Sequence, residues 1–423
     1  MSRRLRLAVP VAGFITASLV FTGAVQAAGG ELDPTFSRDG KVATDIAIGL
    51  DRAEGVAIQT DGKIVVAGSS GMRTRRFTLL RYNPDGTLDG TFGVDGKVTT
   101  GFGARGASAS GLAIQVDGKI VAAGSAGTQN VKFALTRYNP DGSLDVTFGD
   151  GGRVTTSLTD GSDRAADVAI QADGSIVAAG TADGDRRPKF ALVRYDVDGR
   201  RDSTFGTNGT VITNVAEGYD RASALAIQAD EKIVAFGRNE CDFALVRYDP
   251  EGTLDSSFGD GGKVTSGAKG FLCLSGEDVA IQSDGKIVAA GWGECLSSIL
   301  PCLVDFAVAR YNTDGTPDMG FGEAGHVRGG YHIALATAVS IQTDGKILAV
   351  GGVDFNSEFA LVRYNSDGTA DPTFGEDGRV TTVLGRQGAA ARDVAIQADG
   401  KIVAAGWFLA KNDRFAVVRY LAS

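Results

Sequence analysis

A unit of about 56 residues recurs seven times and fills most of this chain of 423 residues. Its best-preserved copy reads DVAIQADGKIVAAG at residues 393–406, followed by FAVVRY at residues 415–420. The glutamine of this motif returns every 54 to 60 residues, at Gln59, Gln115, Gln171, Gln228, Gln282, Gln342 and Gln397. Such a period predicts a repeat architecture, because each unit buries its apolar faces only against its neighbours.

Each unit contains four short segments with the pattern of β-strands. VAIQ and KIVAAG are mostly apolar on both faces, as in strands that are covered on both sides. The Asp-Gly between them predicts a tight hairpin, since glycine adopts positive φ without steric cost. A second Asp-Gly turn follows FALVRY and leads into a fourth segment such as GKVTT at residues 96–100. We label the four segments strands a (VAIQ), b (KIVAAG), c (FALVRY) and d (GKVTT).

Four antiparallel strands repeated seven times predict an all-β fold, a seven-bladed β-propeller. The two ends of the repeat array support a closed ring: residues 32–44 read as a lone strand d, whereas the last unit stops after its strand c. We therefore predict that residues 40–44 pair with residues 415–420 and complete the last blade, which leaves no open sheet edge between the first and last blades. The predicted propeller domain spans residues 31–423.

Residues 1–28 are predicted to be a cleaved signal peptide. Three arginines precede an apolar run from Leu7 to Val25, and Val25-Gln26-Ala27 has the small residues of a cleavage site. A membrane anchor is the alternative interpretation, but the run is rich in small and polar residues and the repeats begin directly after it. We expect a protein that is secreted or lies on the exterior of the cell envelope.

The composition excludes two classes of partner. The formal net charge is −9, and removal of the arginine-containing leader makes it more negative. An acidic chain does not attract nucleic acid or an anionic membrane surface, so we expect neither nucleic-acid binding nor membrane association after cleavage. The sequence gives no sign of an oligomerisation segment, and we expect a monomer.

Residues that recur in every unit are interpreted as structural. They include a Phe at the start of strand c, a Phe in the TFG motif and a Tyr at the end of strand c. Aromatic side chains repeated in this way are expected to fill the space between neighbouring sheets. Each unit also has an Arg before the Tyr and an Asp in its L-D-x-T-F motif, eight residues apart in six units. We predict a repeated Arg–Asp ion pair, the seventh of which, Arg419 with Asp33, forms only if the ring closes.

One face of the disc is expected to carry the function. The a–b and c–d turns keep constant lengths and lie on one face, which we call the turn face. The b–c and d–a connections vary in length and lie on the opposite face, which we call the loop face. Variable loops on a rigid scaffold are the usual location of binding sites.

The four cysteines fall in these loops. In an exported protein an even number of cysteines predicts disulfides, and we favour Cys241–Cys273 and Cys295–Cys302 among the three connectivities. A cysteine-only metal site is the alternative, but no C-x-x-C pair is present. The two histidines, His326 and His332, lack further metal-ligating company, so no metal site is predicted.

Charged residues in strand a form the candidate ligand site. They are expected at the mouth of the central channel, either as a polar binding site or as loop salt bridges: Asp51, Arg52, Asp163, Arg164, Asp220, Arg221, Arg392 and Asp393. Three aspartates stand four residues before their glutamine and are the candidate acid–base groups: Asp167, Asp278 and Asp393. Trp292 and Trp407 follow the glycine of strand b, where they either stack on a ligand or pack beneath the loops.

The consensus A-I-Q-x-D-G-K-I-V-x-A-G … F-A-L-x-R-Y-N-x-D-G-x-L-D-x-T-F-G-x-x-G-x-V-x-T resembles the delta-60 repeat, a bacterial propeller-type family without an assigned function. The resemblance extends from Leu32 to Tyr420 and is weakest in the fourth unit, where Glu231 replaces the turn glycine. It implies a propeller and no catalytic residues.

We therefore predict a non-catalytic scaffold that binds protein or carbohydrate through the loop face, without a cofactor. The alternative is a propeller hydrolase or lyase that uses the acidic residues of the channel with a divalent cation such as calcium. A third interpretation is a structural surface-layer or matrix component without a pocket. The fold alone does not decide between these functions.

Overall fold

The computed structural model describes residues 29–422, apart from residues 73, 104–105, 185–186, 269–270, 296–303, 332–333, 354–357 and 386. The predicted signal peptide lies outside these described residues. Within them, 28 strands form seven antiparallel sheets of four strands each, which confirms the predicted seven-bladed propeller.

Blades 1 to 4 each take their strands a, b, c and d consecutively from the chain. Blade 1 contains β2 (Arg52–Ile58), β3 (Ile64–Ser70), β4 (Arg76–Tyr82) and β5 (Lys97–Thr100). Blade 2 contains β6 (Ala107–Ile114), β7 (Ile120–Ala126), β8 (Lys132–Tyr138) and β9 (Arg153–Thr156). Blade 3 contains β10 (Arg164–Ile170), β11 (Ile176–Ala182), β12 (Lys189–Tyr195) and β13 (Thr210–Thr213). Blade 4 contains β14 (Asp220–Ile227), β15 (Ile233–Asn239), β16 (Asp242–Tyr248) and β17 (Lys263–Ser266).

Blades 5 and 6 follow the same order, and blade 7 combines both ends of the repeat array. Blade 5 contains β18 (Phe271–Ile281), β19 (Ile287–Cys295), β20 (Val304–Tyr311) and β21 (His326–Arg328). Blade 6 contains β22 (Ala334–Ile341), β23 (Ile347–Val353), β24 (Glu358–Tyr364) and β25 (Arg379–Val383). Blade 7 contains β26 (Gln387–Ile396), β27 (Ile402–Leu409), β28 (Asp413–Tyr420) and β1 (Lys41–Thr44).

The ring closes as predicted. Strand β1 pairs with β28 in an antiparallel register that places Lys41 opposite Val418 and Thr44 opposite Phe415. Because this pairing joins both ends of the repeat array in one sheet, the first and last blades are held together like any other two neighbours.

The hydrophobic core lies between neighbouring sheets. Seven clusters of buried side chains each join two adjacent blades, and the cluster that contains Tyr82 of blade 1 and Phe415 of blade 7 completes the circle. The repeated Phe and Tyr side chains are 0 to 2% exposed, which confirms that they fill the space between sheets.

A repeated arginine holds each blade to the next. In all seven units the Arg Nε lies 2.7 to 2.9 Å from the Asp Oδ2 of the L-D-x-T-F motif, including Arg419 with Asp33 across the ring closure. The guanidinium carbon lies 4.4 to 4.8 Å from the centroid of the TFG phenylalanine ring. Nη1 donates a hydrogen bond to a backbone carbonyl of the following unit, as Arg81 does to Pro140. The arginine is thus shared by two blades.

Removing the ion pair that closes the ring is expected to destabilise the fold. In Asp33→Ala the Arg419 guanidinium stays buried without its carboxylate, which costs about 3–5 kcal/mol for a buried pair. Urea unfolding measures this loss. The control Glu31→Ala, an exposed side chain nearby, is expected to change the free energy of unfolding by less than about 0.5 kcal/mol. Equal stability of the two variants would contradict the role of the pair.

The repeated tyrosines form a second link between blades, with one exception. Six of their hydroxyls lie 2.5 to 2.9 Å from a Thr or Ser hydroxyl on strand d of the preceding blade. The hydroxyl of Tyr364 is buried and has no hydrogen-bond partner among the described residues. The cause is local: Gly329 occupies the position where the other blades have the hydroxyl side chain.

This exception gives a matched pair of substitutions. Tyr138→Phe leaves the buried Thr100 hydroxyl without its donor and is expected to cost about 1–3 kcal/mol. Tyr364→Phe removes a hydroxyl that is already unpaired, and it is expected to leave stability unchanged or to raise it. Denaturant unfolding of both variants measures the difference, and a larger loss in Tyr364→Phe would overturn this explanation.

Candidate functional site

The innermost strand of every blade, strand a, carries a β-bulge at the same place. The bulged residue stands five positions before the repeat glutamine, and in blade 1 it is Glu54, between Ala53 and Gly55. A bulge turns an extra side chain out of the regular alternation. The seven bulged side chains line the central channel: Glu54, Ser110, Ala166, Ser223, Glu277, Thr337 and Arg392.

These residues surround a cavity of about 670 Å³ on the axis of the ring, which we call the channel cavity. All seven blades contribute to its wall. Strand a runs from the loop face to the turn face, so residues early in each strand, such as Arg164 and Arg221, lie at its mouth. The size falls in the range of about 300–1,000 Å³ that is usual for ligand pockets.

Asp167, Asp278 and Asp393 line this cavity together, as the sequence predicted. The carboxylate of each one binds backbone N–H groups of two neighbouring blades, and we call these three residues the clamp aspartates. Asp393 accepts hydrogen bonds from the backbone N–H of Val394 in its own blade and of Val56 in blade 1, both at 2.7 Å. Asp167 joins blades 3 and 4 in the same way, through the N–H groups of Val168 and Leu225.

Asp278 repeats the arrangement between blades 5 and 6, through Val279 and Val339. The three clamps therefore connect blade 7 to 1, 3 to 4 and 5 to 6.

Burial raises the pKa of all three carboxyls. It raises the pKa of Asp393 to about 7 and that of Asp167 to about 6, against the hydrogen bonds, which lower it. The pKa of Asp278 lies well above its ordinary range, because burial and the neighbouring Asp393 carboxylate both oppose its ionisation. Part of this acidic centre is therefore protonated near neutral pH.

Nearer the mouth, two glutamates face an arginine. Burial raises the pKa of Glu54 and of Glu277. Arg392 lies 3.5 Å from a carboxylate oxygen of Glu54, whereas Glu277 accepts hydrogen bonds from the Trp292 indole at 3.1 Å and from the Ser275 hydroxyl at 2.9 Å. These acidic groups are thus already engaged within the protein.

Arg164 and Arg221 differ from Arg392, the third basic residue of the wall, which is paired with Glu54. Both side chains are exposed at the cavity mouth, at equivalent positions of blades 3 and 4. Neither forms a hydrogen bond or an ion pair with a described residue, and the clamp carboxylate of Asp167 is bonded to backbone N–H groups. They present two unpaired guanidinium groups to whatever enters the cavity.

Arg52 occupies the equivalent position in blade 1 but is held by the protein. Its Nε lies 2.6 Å from Asp413, and its guanidinium lies 4.3 Å from the ring centroid of Trp407. Trp407 is only 8% exposed, so it packs beneath Arg52, while Trp292 is half-buried and bonded to Glu277. Neither indole presents a wholly open face to the cavity.

The three aspartates at the start of strand a do not line the cavity: Asp51 and Asp163 lie in the d–a loops, and Asp220 is the first residue of β14. Asp51, Asp163 and Asp220 are fully buried. Their carboxylates accept hydrogen bonds from backbone N–H groups of the preceding d–a loops, such as those of Leu158 and Thr159 for Asp163. They fix the loops that frame the cavity mouth.

The loops of the two variable connections meet on one face, as expected. Asp220, where a d–a loop ends and β14 begins, donates its N–H to the carbonyl of Pro188 in a b–c loop. The disulfide Cys241–Cys273 confirms that predicted pair. It joins the b–c loop of blade 4 to the first part of β18, so Cys273 lies in a strand and not in the d–a loop as expected. Cys302 of the predicted Cys295–Cys302 pair lies within residues 296–303, outside the described residues, so this pair stays a prediction. His332 also lies outside the described residues.

Sequence reasoning missed several residues of the cavity wall. Glu54, Glu277 and the hydroxyl residues at the bulge were not selected, because a bulge interrupts the period-two alternation by which channel-facing positions are recognised. One signal was available: the position five residues before the glutamine varies in character between units, whereas its neighbours do not vary as much.

The described residues contain no group of three or more His, Cys, Asp or Glu side chains arranged to hold a metal ion. His326 is half-buried, and burial lowers its pKa. In the same described ranges, no helix is long and apolar enough to cross a membrane.

A family model described as "Domain of unknown function (DUF5122) beta-propeller" matches about half of the chain. The matched residues are 59–92, 115–148, 171–205, 228–258, 303–321, 342–374 and 397–423. The chain belongs to this family. Six matches begin at a strand-a glutamine and the fifth begins just before strand c of blade 5, so one match falls in each blade. Among curated proteins, no sequence matches the chain.

Solved structures with the same architecture share little sequence with it. Virginiamycin B lyase from Staphylococcus aureus has a TM-score of 0.52 at 10% identity and covers 90% of this chain and 99% of its own. Sqt1 from Chaetomium thermophilum has a TM-score of 0.51 at 12% identity and covers 90% and 100%. The polysaccharide lyase Uly1 has a TM-score of 0.50 at 11% identity and covers 94% and 97%. At these identities the likeness shows the fold alone.

The clamp aspartates predict how stability depends on pH. Because their folded-state pKa values are raised, their protonation stabilises the fold; this contribution is fully present below the ordinary aspartate pKa of about 4 and is lost as the pH rises through about 7. The free energy of unfolding is therefore expected to fall between about pH 4 and about pH 8.

Asp393→Asn is expected to flatten this slope. The free energy of unfolding of this variant should also fall, because the asparagine NH₂ would face a backbone N–H. The test is therefore the slope of the free energy of unfolding against pH, and not its value at one pH. The control is Asp399→Asn. Burial raises the pKa of Asp399, but its hydrogen bonds and the charge of Lys401 outweigh burial and lower the pKa overall, so Asp399 titrates below the range between about pH 4 and about pH 8. An unchanged slope in Asp393→Asn would show that this carboxyl does not titrate there.

Proposed function

We propose that this protein is an exported, non-catalytic scaffold that binds a protein or carbohydrate ligand through the loop face. The observation that carries the proposal is the channel cavity of about 670 Å³, with the unpaired guanidinium groups of Arg164 and Arg221 at its mouth. Clefts of this size with a few convergent polar groups are the usual form of binding sites.

The engagement of the acidic groups supports binding without turnover. Asp167, Asp278 and Asp393 use their carboxylate oxygens to hold backbone N–H groups of two blades. Carboxylates that hold the ring together are poorly suited to move during a reaction, because losing either bond exposes an unpaired buried N–H.

One observation favours the alternative, a hydrolase or lyase. Asp393 has a pKa raised to about 7, which is a suitable value for a general acid or base at neutral pH. In this alternative the carboxyl acts on a ligand in the channel cavity with a divalent cation such as calcium. The two proposals differ in whether a bound ligand is recovered unchanged.

Export to the cell exterior and a monomeric state form part of the same proposal. The basic and apolar leader at residues 1–28 supports export. The disulfide Cys241–Cys273 supports it independently, because disulfides persist in oxidising compartments. We also propose that the units correspond to the delta-60 repeat, on the consensus quoted above.

Blocking the channel cavity is expected to abolish ligand binding. Ala166→Trp places a large side chain at a bulge position in the cavity wall. Immobilised collections of glycans and peptides are probed with the purified mature protein and with this variant. The control is Ala172→Trp, at an exposed turn-face position where another unit has the fully exposed Val116.

The expected result is binding by the wild type and by Ala172→Trp, and none by Ala166→Trp. Equal binding by both variants would place the site elsewhere, and a wild type that binds no member of the collections would contradict the proposal. Recovery of each bound ligand by mass spectrometry decides between scaffold and enzyme, since cleaved products would favour the hydrolase or lyase.

A further inference from the structure

We infer that the ligand is an anionic oligosaccharide whose carboxylate groups bind Arg164 and Arg221. This inference rests on the proposed function and names the chemical class of the ligand. It follows from the charge at the cavity mouth, the polarity of the wall, the occupied backbone N–H groups at the inner edges of the blades and the groove that adjoins the cavity.

The charge at the mouth favours an anion. Arg164 and Arg221 stand at equivalent positions of adjacent blades, line one cavity and lack an acidic partner among the described residues. The same wall carries the carboxyl groups of Glu54, Asp183 and Glu277, so the two unpaired arginines form a local basic site at the mouth of an otherwise acidic cavity. Guanidinium groups bind carboxylates through two parallel hydrogen bonds, which gives both energy and orientation.

The wall of the cavity suits a polyhydroxylated ligand. Hydroxyl side chains without a hydrogen bond to another described side chain line it, namely Ser110, Ser125, Ser162 and Thr181. Each hydroxyl can donate one hydrogen bond and accept others, as sugar hydroxyls also do. Ser223 and Thr337 are excluded from this set, since they donate to backbone carbonyls of the following blade.

The inner edges of the blades disfavour a peptide that would bind by adding a strand. Such binding requires open backbone N–H groups at a sheet edge. In six blades the N–H three positions before the glutamine already bonds to a clamp aspartate; these residues are Val56, Val168, Leu225, Val279, Val339 and Val394. A ligand in the cavity therefore meets side-chain hydroxyls and guanidinium groups rather than a row of open amides.

A groove adjoins the cavity, and the two together suit a chain of sugars rather than a single sugar. A second opening of about 310 Å³ lies on the loop face between blades 1, 2 and 3, and we call it the side groove. Ser125 and Arg164 line both the channel cavity and the side groove, so the two openings adjoin at these side chains. The side groove adds Arg75 and the exposed Met72, which provide a further cation and an apolar surface along the path.

The test uses three probes that separate charge from hydroxyl content. Hexagalacturonate carries both carboxylates and hydroxyls, its methyl ester keeps the hydroxyls without the charge, and hexaglutamate keeps the charge without the sugar. Isothermal titration calorimetry with the mature protein is expected to show binding of hexagalacturonate. The ester and hexaglutamate are each expected to bind at least about tenfold more weakly, as a lost charged hydrogen bond implies. Added salt should weaken hexagalacturonate binding.

Variants locate the interaction. Arg164→Gln and Arg221→Gln are each expected to weaken hexagalacturonate binding about tenfold or more, with little change for the methyl ester. The control Arg200→Gln removes an exposed arginine of the turn face, which pairs with Asp198, and is expected to have no effect. Thermal unfolding of all three variants confirms that they are folded.

Each outcome has a defined meaning. Equal binding of the methyl ester would overturn the role of charge, and equal or tighter binding of hexaglutamate would overturn the saccharide class. Failure of hexagalacturonate to bind would overturn the inference as a whole. None of these results would refute the proposed loop-face scaffold, which fails only if Ala166→Trp keeps its binding or if the wild type binds no glycan or peptide.

Discussion

The repeated Arg–Asp pair is the interaction on which the rest of this structure depends. Each arginine bonds an aspartate of its own unit, covers a phenylalanine ring and donates to the backbone of the next unit, so one side chain fixes the position of two sheets. Arg419 and Asp33 are 386 residues apart in sequence and still form the same contact. Since the channel cavity is built from all seven blades, its shape exists only while this circle is closed.

The fold could be predicted because its determinants repeat. Glutamines at regular intervals, an eight-residue Arg–Asp spacing and a lone strand d before the first unit together predicted the number of blades and the pairing of Lys41–Thr44 with strand β28. The glutamines occur seven times and the Arg–Asp spacing six times, so a single departure such as Glu231 or Gly329 does not obscure either signal.

The site could be predicted only in part, because it consists of what does not repeat. The sequence identified Asp167, Asp278 and Asp393 as a set, and the structure places them together on the cavity wall. It did not reveal that their oxygens are taken by backbone N–H groups, nor that Asp51, Asp163 and Asp220 turn into the loops. Those outcomes depend on which amides need an acceptor, and that is decided by tertiary structure.

Seven blades cannot be divided into pairs, and the aspartate clamps, each spanning two blades, therefore leave one blade over. That blade is the second, in which Gly111 occupies the position of the clamp aspartate and Leu112 the position of the residue whose N–H binds such an aspartate. Gly111 lies so near Asp167 that an added Cβ would come within 2.7 Å of the Asp167 Oδ1. Ser125 of this same blade lines both the channel cavity and the side groove. An odd number of blades thus breaks the rotational equivalence of the ring, so the channel wall at blade 2 differs from the wall at the other six blades.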